Sequence, residues 1–191
     1  MLSSGLGFSQ ADVNNTSSVA PSLQAYSLNS ANSKFIIKGT SSLHDWEMIS
    51  ENCSGSIRMD PNAETLMISD IQVKLQVKSL KSGKKLMDSK TYDALKEDKF
   101  PTITYKYEKI GALKETAPNT YSVTLNGTLT IAGKSKNVPI DVIIKQTNNS
   151  INIKGEKPLK MTDFGVEPPT ALLGTIKTGD DITIDFNLNY N

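Results

Sequence analysis

The chain has 191 residues, with 21 Lys and Arg against 20 Asp and Glu, one His and one Cys. That length suits one domain with a substantial core of its own. The nearly cancelled charge, with no basic stripe and no aromatics interleaved with Lys or Arg, argues against nucleic acid as a partner. A single cysteine excludes an internal disulfide and a cysteine zinc site, and a single histidine excludes a histidine-cluster metal site.

Residues 1 to about 21 are rich in Ser, Asn and Gly and lack periodicity, so they read as a flexible leader. No run approaches the roughly 18 apolar residues of a membrane helix. The start also lacks the charged region and long apolar stretch of a complete signal peptide. Ser9-Gln10-Ala11 fits the small-x-small pattern of a cleavage site. The leader is therefore either the tail of a secretion signal or plain disordered chain. The domain is expected over residues 22–191, with order beginning near Leu23–Leu28.

Lys34–Gly39 is the first strong strand, with Phe35 and Ile37 on one face and Gly39 breaking or bulging it. His44–Ser50 reads as the next strand. Parity puts His44, Trp46 and Met48 on one side and Asp45 on the other. Cys53–Asp60 continues extended, and Asp60-Pro61-Asn62 turns. Ala63–Leu80 is expected as one long strand with Met67, Ile71, Val73, Leu75 and Val77 inward. Leu66 and Ile68 fall on the other parity, which predicts a bulge or a switch of buried face near Asp70.

Lys84–Lys96 is poor in β-branched residues, and its apolar spacing predicts a modest amphipathic helix ended before Pro101. From Thr102 the alternation returns, with Ile103, Tyr105 and Tyr107 on one face. A turn is expected at Glu115–Thr120. Tyr121 to Ile131 alternate without exception, and Val138 to Ile144 form the next strand after Ala132–Ser135. Ile151, Ile153, Gly155 and Leu159 follow the Asn148–Ser150 loop. Met161–Gly174 is irregular, and Gly179-Asp180 opens a last alternating strand with Ile182, Ile184, Phe186, Leu188 and Tyr190 on one face.

These eight or nine strands with one helix describe an antiparallel sheet that hides one face, either in a sandwich or in a barrel. About eight strands in a barrel leave room for side chains or one slender ligand. No internal repeat suggests a propeller or solenoid.

The segment Leu86-Met87-Asp88, Tyr92-Asp93-Ala94-Leu95 and Phe100-Pro101-Thr102-Ile103-Thr104-Tyr105 resembles the helix-to-strand region of the YceI-like family. These are lipocalin-like bacterial proteins, also called polyisoprenoid-binding proteins. Asn126–Val138 is similar to the family's glycine-turned hairpin, and Met161-Thr162-Asp163-Phe164-Gly165 to its Asp-Phe-Gly segment. The resemblance spans residues 23–191. Three departures lie where a head group would sit. Gly39–Trp46 carries Thr-Ser-Ser-Leu-His-Asp-Trp instead of a histidine followed by glycines. Met161 stands where the family usually has arginine, and Pro168–Gly174 is longer than in the common form.

The resemblance implies an all-β fold: an extended lipocalin-like antiparallel eight-stranded β-barrel with one helix inserted between strands. It implies a periplasmic protein whose apolar interior holds an isoprenoid, a quinone-like lipid or another long-chain amphipathic lipid, for transport, storage or sequestration. No cofactor, metal or membrane span is expected. The partners are the lipid and, as the macromolecular one admitted, a second copy in a homodimer. The alternative is a β-domain with a filled core that recruits a protein partner.

The candidate tunnel residues on this reading are His44, Trp46, Phe100, Ile103, Tyr105, Tyr107, Leu129, Ile131, Phe164, Leu172, Leu173, Ile184 and Phe186. Each aromatic among them reads equally as ordinary core. Buried tyrosine hydroxyls need partners, so Tyr105 and Tyr107 would be polar markers inside a tunnel. His44 is a strand end, a rim contact to a ligand, or a general base. The last needs a nucleophile, but no G-x-S-x-G elbow exists and parity points Asp45 away. Asp163-Phe164-Gly165 without a glycine-rich loop is not a kinase motif. Cys53 is either buried and inert or an exposed thiol. The helix is a lid over one barrel end or a gate for entry, and Ala171-Leu172-Leu173 a plug at the mouth.

Overall fold

A computed structural model describes residues 22–191 apart from Asn148 and Leu172. The leader expected over 1–21, with its Ser9-Gln10-Ala11 pattern, lies outside the described residues, as does Leu172. The strands are β1 (Gln24–Ser27), β2 (Lys34–Ser41), β3 (Trp46–Ser50), β4 (Cys53–Asp60) and β5 (Met67–Gln76). The helix α1 (Lys85–Ala94) follows. Then come β6 (Thr102–Ala117), β7 (Thr120–Ile131), β8 (Lys134–Gln146), β9 (Ile151–Lys160), β10 (Thr170–Ala171) and β11 (Ile176–Tyr190).

All the strand pairs are antiparallel, in the order β1-β4-β5-β6-β7-β8-β9-β11-β2-β3, with β10 beside β11. The sheet curls on itself, and isolated bridges Leu28–Tyr190 and Ile49–Lys81 tie its two ends across the seam. The all-β, lipocalin-like expectation holds. The path counts ten strands rather than eight because both of its ends carry short ones, β1 and β3.

Period-2 patterning builds the wall. On β7, Tyr121, Val123, Leu125, Leu129 and Ile131 are buried while their neighbours are not. Met48, Ile57, Met59, Ile144 and Tyr190 are fully buried from four different strands.

Several boundaries differ from the sequence reading, each for a local reason. The segment Ala63–Leu80 is strand only over Met67–Gln76. Before it, the Asp60 carboxylate accepts the N–H groups of Ser22 (2.9 Å) and Asn62 (3.0 Å) and holds a turn. After it, Val77 donates its N–H to the Pro101 carbonyl, and Val77–Ser79 winds into a 3-10 turn. The bulge expected near Asp70 is present. Arg58 pairs with Asp70 and Met59 with Ile68, which leaves Ser69 unpaired. The bulge exchanges the faces, so Ile68 and Ile71 are both buried and Met67, expected inward, is 40% exposed.

The strand expected from His44 starts at Trp46. The Ser41 hydroxyl donates to the His44 carbonyl (2.7 Å) and accepts the N–H groups of Leu43 and His44, so residues 41–44 form a turn. The β6–β7 turn shrinks to Pro118-Asn119, and β11 opens at Ile176, with a bulge between Thr178 and Ile182 against β2.

The helix is pinned across one end of the barrel. Asp88 accepts the Ser82 N–H (2.8 Å) and hydroxyl (2.6 Å). The Tyr92 hydroxyl donates to the Leu80 carbonyl (2.8 Å) and accepts from Lys81 Nζ (2.7 Å). Met87, Tyr92 and Ala94 are partly buried against the core, while Leu86 is exposed.

Candidate functional site

Two cavities run inside the curled sheet. The outer, about 370 Å³, lies under α1 and the segments 41–46 and 159–170. The inner, about 100 Å³, lies deeper between β2, β5–β9 and β11. Ile37, Ile103 and Ile184 line both, so the two meet at a neck. Along β11 the inward residues step from Ile182 and Ile184 in the outer cavity to Phe186, Leu188 and Tyr190 in the inner one. At about 3.3 Å per residue, that is roughly 26 Å of strand.

The walls are apolar for the same reason that the strands alternate: one face of each is turned away from water. At the outer end, Leu43 and Leu86 line the cavity and are each 66% exposed. The charged groups lining the outer cavity, His44 apart, are the lysines Lys84, Lys90 and Lys160, with no carboxylate among them. Lys160 is paired with Asp181 at 2.8 Å, which raises the ammonium above its ordinary range.

Nine of the thirteen expected tunnel residues fall into three groups. His44, Trp46, Ile131 and Phe164 line the outer cavity, Ile103 and Ile184 the neck, and Tyr105, Leu129 and Phe186 the inner cavity. Phe100, Tyr107 and Leu173 line neither. Phe100 follows α1 on the outside, where its ring fills the space that a Cβ on Gly133 would take. Tyr107 lies past Tyr105, buried in the core, and donates its hydroxyl to the Ile68 carbonyl at 3.4 Å. Leu173 is fully exposed in a left-handed turn (φ 55°), so it is not a plug. Leu172 lies outside the described residues.

Trp46 is fixed by a bond to backbone. Its Nε1–H donates to the Thr40 carbonyl at 2.8 Å. His44 Nδ1–H donates to the Asp45 carbonyl at 2.6 Å, so the ring is held by the chain itself and not by a carboxylate. Phe164 enters the cavity from a 3-10 turn closed by Gly165 at φ 66°. Lys136 braces that turn by its 2.6 Å bond to Asp163, which holds the Asp163 carboxyl below its usual range. The Asp180 carboxylate accepts the Thr162 hydroxyl (2.7 Å) and N–H (2.9 Å) and is likewise lowered.

Polar groups are scarce inside. The Tyr105 ring lies against the bare backbone of Gly127, its hydroxyl 2.6 Å from where a Cβ there would stand. The hydroxyls of Tyr105 and Tyr190 are buried with no hydrogen-bond partner among the described residues, and burial pushes both phenols well above their ordinary range. Lys157 also lines the inner cavity, half-buried, on the parity of Ile153 and Leu159. Cys53 is buried, and its thiol is pushed up by burial.

Sequence reasoning missed Ile37, Met48, Met87, Lys157 and Tyr190 as lining residues. Parity carried the signal for four of them, since each lies on a strand face already read as inward or two residues from one. Met87 needed the position of α1. Among the described residues no group of three or more His, Cys, Asp or Glu is placed to hold a metal ion, and no helix is long and apolar enough to cross a membrane.

The fold is shared with solved structures. BcnA of Burkholderia cenocepacia is 23% identical, with a TM-score of 0.66 over 85% of this chain and 98% of that one. A polyisoprenoid binding domain from Saccharophagus degradans, implicated in plant cell wall breakdown, is 14% identical, with a TM-score of 0.69 over 87% and 97%. The YCEI protein of Campylobacter jejuni is 21% identical, with a TM-score of 0.55 over 72% and 80%. No curated protein matches the chain. The model of the YceI-like domain matches residues 10–190. With nearly the whole length matched and the barrel and helix in place, the chain belongs to the YceI-like domain family.

Proposed function

We propose that this protein binds one long-chain amphipathic lipid, an isoprenoid or a lipid of similar shape, in the two-chambered tunnel. The observation that carries the reading is that the two apolar cavities adjoin at Ile37, Ile103 and Ile184, which supports reading them as one path. A chain laid along that path leaves water at about 0.8 kcal/mol per methylene, so affinity needs few polar contacts. The Saccharophagus degradans domain of the same fold is described as polyisoprenoid binding, which supports the class of ligand. Trp46, Ile103, Tyr105, Leu129, Ile184 and Phe186 are the contacts proposed for the chain, and His44 a contact at the mouth.

The role follows from the chemistry. A tunnel walled by apolar side chains suits carrying, storing or sequestering a lipid, and the periplasm is the compartment proposed for it. A β-domain with a filled core would put side chains where this tunnel runs, so the open interior favours the binding reading over that alternative.

Mass spectrometry of an organic extract of the purified protein tests the proposal, together with displacement of a fluorescent apolar probe. A long-chain lipid in near-equimolar amount, or displacement that tightens as the chain lengthens, is the expected result. An empty extract with no displacement by any long chain would sink the reading.

A further inference from the structure

We infer that the mouth of the outer cavity docks on the surface of an anionic lipid bilayer. Leu43, Leu86 and Leu173 enter the head-group layer there, and Lys84 and Lys90 meet its phosphates. The inference rests on the lipid-binding reading above for its purpose, since it says where the tunnel meets its ligand, but the contact is measured apart from that reading.

Exposed apolar side chains are unevenly placed on this protein. Eight large ones are exposed among the described residues. Five of these are 37–44% exposed, which is ordinary for a surface. The other three stand well clear of them: Leu43 and Leu86 at 66%, and Leu173 over its whole side chain. All three belong to segments that edge the outer cavity. Leu43 and Leu86 line it. Leu173 lies in the turn between β10 and β11, whose Thr170 and Ile176 line it. That turn is tied to the one that carries Leu43. Ser42 donates its N–H to the Lys177 carbonyl (2.9 Å), and Lys177 donates its N–H to the Ser42 hydroxyl (3.1 Å). Three separate segments therefore each put one leucine into solvent around a single opening, and exposed apolar surface gathered in this way marks a contact site.

The charge at the opening has one sign. Lys84 and Lys90 line the cavity, are exposed, and form no ion pair among the described residues. Lys90 is four residues from Leu86, so the two share a face of α1. The acids on the same segments are engaged elsewhere or lie off the lining. Asp88 turns to Ser82 and Asp163 to Lys136, while Asp45, Asp93 and Glu167 do not line the cavity. This arrangement fits a bilayer better than a protein. A protein interface has a closely packed, shape-matched core. Three leucines on separate segments, with lysines beside them, offer no such patch. A fluid head-group layer moulds itself to each side chain, takes up the apolar tips and supplies anionic phosphates to the ammonium groups. Lysine suits that boundary, because its stem lies along apolar surface while its head stays in water. With the mouth seated there, a lipid enters the tunnel without passing its chain through water.

The test is co-sedimentation of the full chain with vesicles of phosphatidylcholine alone and of phosphatidylcholine with phosphatidylglycerol. Wild type should bind the anionic vesicles about tenfold or more tightly than the neutral ones, and the difference should shrink in high salt. Lys84→Gln with Lys90→Gln should remove most of that preference, at about fivefold for each lysine. Leu173→Ser should weaken binding to both kinds of vesicle about tenfold. It should leave displacement of a fluorescent apolar probe in solution unchanged, since Leu173 lines neither cavity. Equal binding to both kinds of vesicle, or none to either, would overturn the inference. So would anionic binding that survives both sets of substitutions, because the contact would then lie on another face. A wild type that ignores vesicles, and a Leu173→Ser variant that loses a dimer or a protein partner, would assign the leucines to a protein interface and overturn it too. Probe displacement without vesicle binding removes the docking alone. Vesicle binding without probe displacement removes the lipid-binding reading and leaves the docking in place.

Discussion

Gly39 and Trp46 face each other across the β2–β3 ladder, and the indole occupies the space that a Cβ on Gly39 would need. The same ring donates to the Thr40 carbonyl and forms part of the outer cavity wall. One bare backbone position therefore sets where the chain's only tryptophan stands and how wide the mouth is.

Gly39→Ala is expected to force the indole off its seat. Overpacking of this kind typically costs about 1–3 kcal/mol. Urea denaturation followed by tryptophan emission should show that loss, with a shifted emission maximum in the folded state. An unchanged midpoint and spectrum would mean that the ring has room to move.

Stability should decline in alkaline solution through Tyr190. Burial raises its phenol in the folded state above the value near 10 of an unfolded tyrosine. Above about pH 10 the unfolded chain loses the proton and the folded one keeps it, so the unfolded state gains. The contribution is complete below that pH and is lost as pH rises through the folded value. Unfolding free energies measured from about pH 8 to about pH 11 should fall more steeply for wild type than for Tyr190→Phe. Parallel slopes would show that the phenol ionises equally in both states.

Cys53 should be inert in the folded protein. It is buried, and burial raises its thiol, so little thiolate is present near neutral pH. Alkylation by iodoacetamide is expected to run roughly a hundredfold or more slower than for a free cysteine, and to reach the free rate in denaturant. Fast labelling without denaturant would place the thiol within reach of solvent.

Much of the wall was legible because alternation reports a strand's buried face directly. On β7, Tyr121 to Ile131 are inward as their spacing implies, and on β11 the same holds from Ile182 to Tyr190. Where the pleat slips, the same rule misleads. The parity of Leu66 and Ile68 signalled a switch near Asp70, but that the bulge falls at Ser69 and turns Met67 outward depends on how β5 pairs with β4. Phe100 and Tyr107 have the composition of a tunnel lining, but one sits outside against Gly133 and the other in filled core. Residue type does not distinguish a tunnel wall from a packed interior. The inward lysine was hidden for the opposite reason: Lys157 sits on the inward parity of β9, but a lysine there looks like solvent-facing chain until the neighbouring strands are in place.

The neck offers the sharpest check on whether the two cavities act as one tunnel. Ile184 and Ile37 are register partners on β11 and β2, and both line both cavities. Ile184→Phe puts a ring in that passage while keeping the surface apolar, at an expected stability cost of about 1–3 kcal/mol. A short-chain ligand held in the outer cavity should bind this variant as it binds wild type. A long chain that must pass the neck should lose about 0.8 kcal/mol for each methylene kept out, so two excluded methylenes already weaken binding about tenfold. Titration of one chain series against both proteins would show the two affinity curves running together at short lengths and separating beyond a fixed length. If the loss is the same at every length, the ring acts on folding or on the outer cavity alone, and the chambers are not a single path.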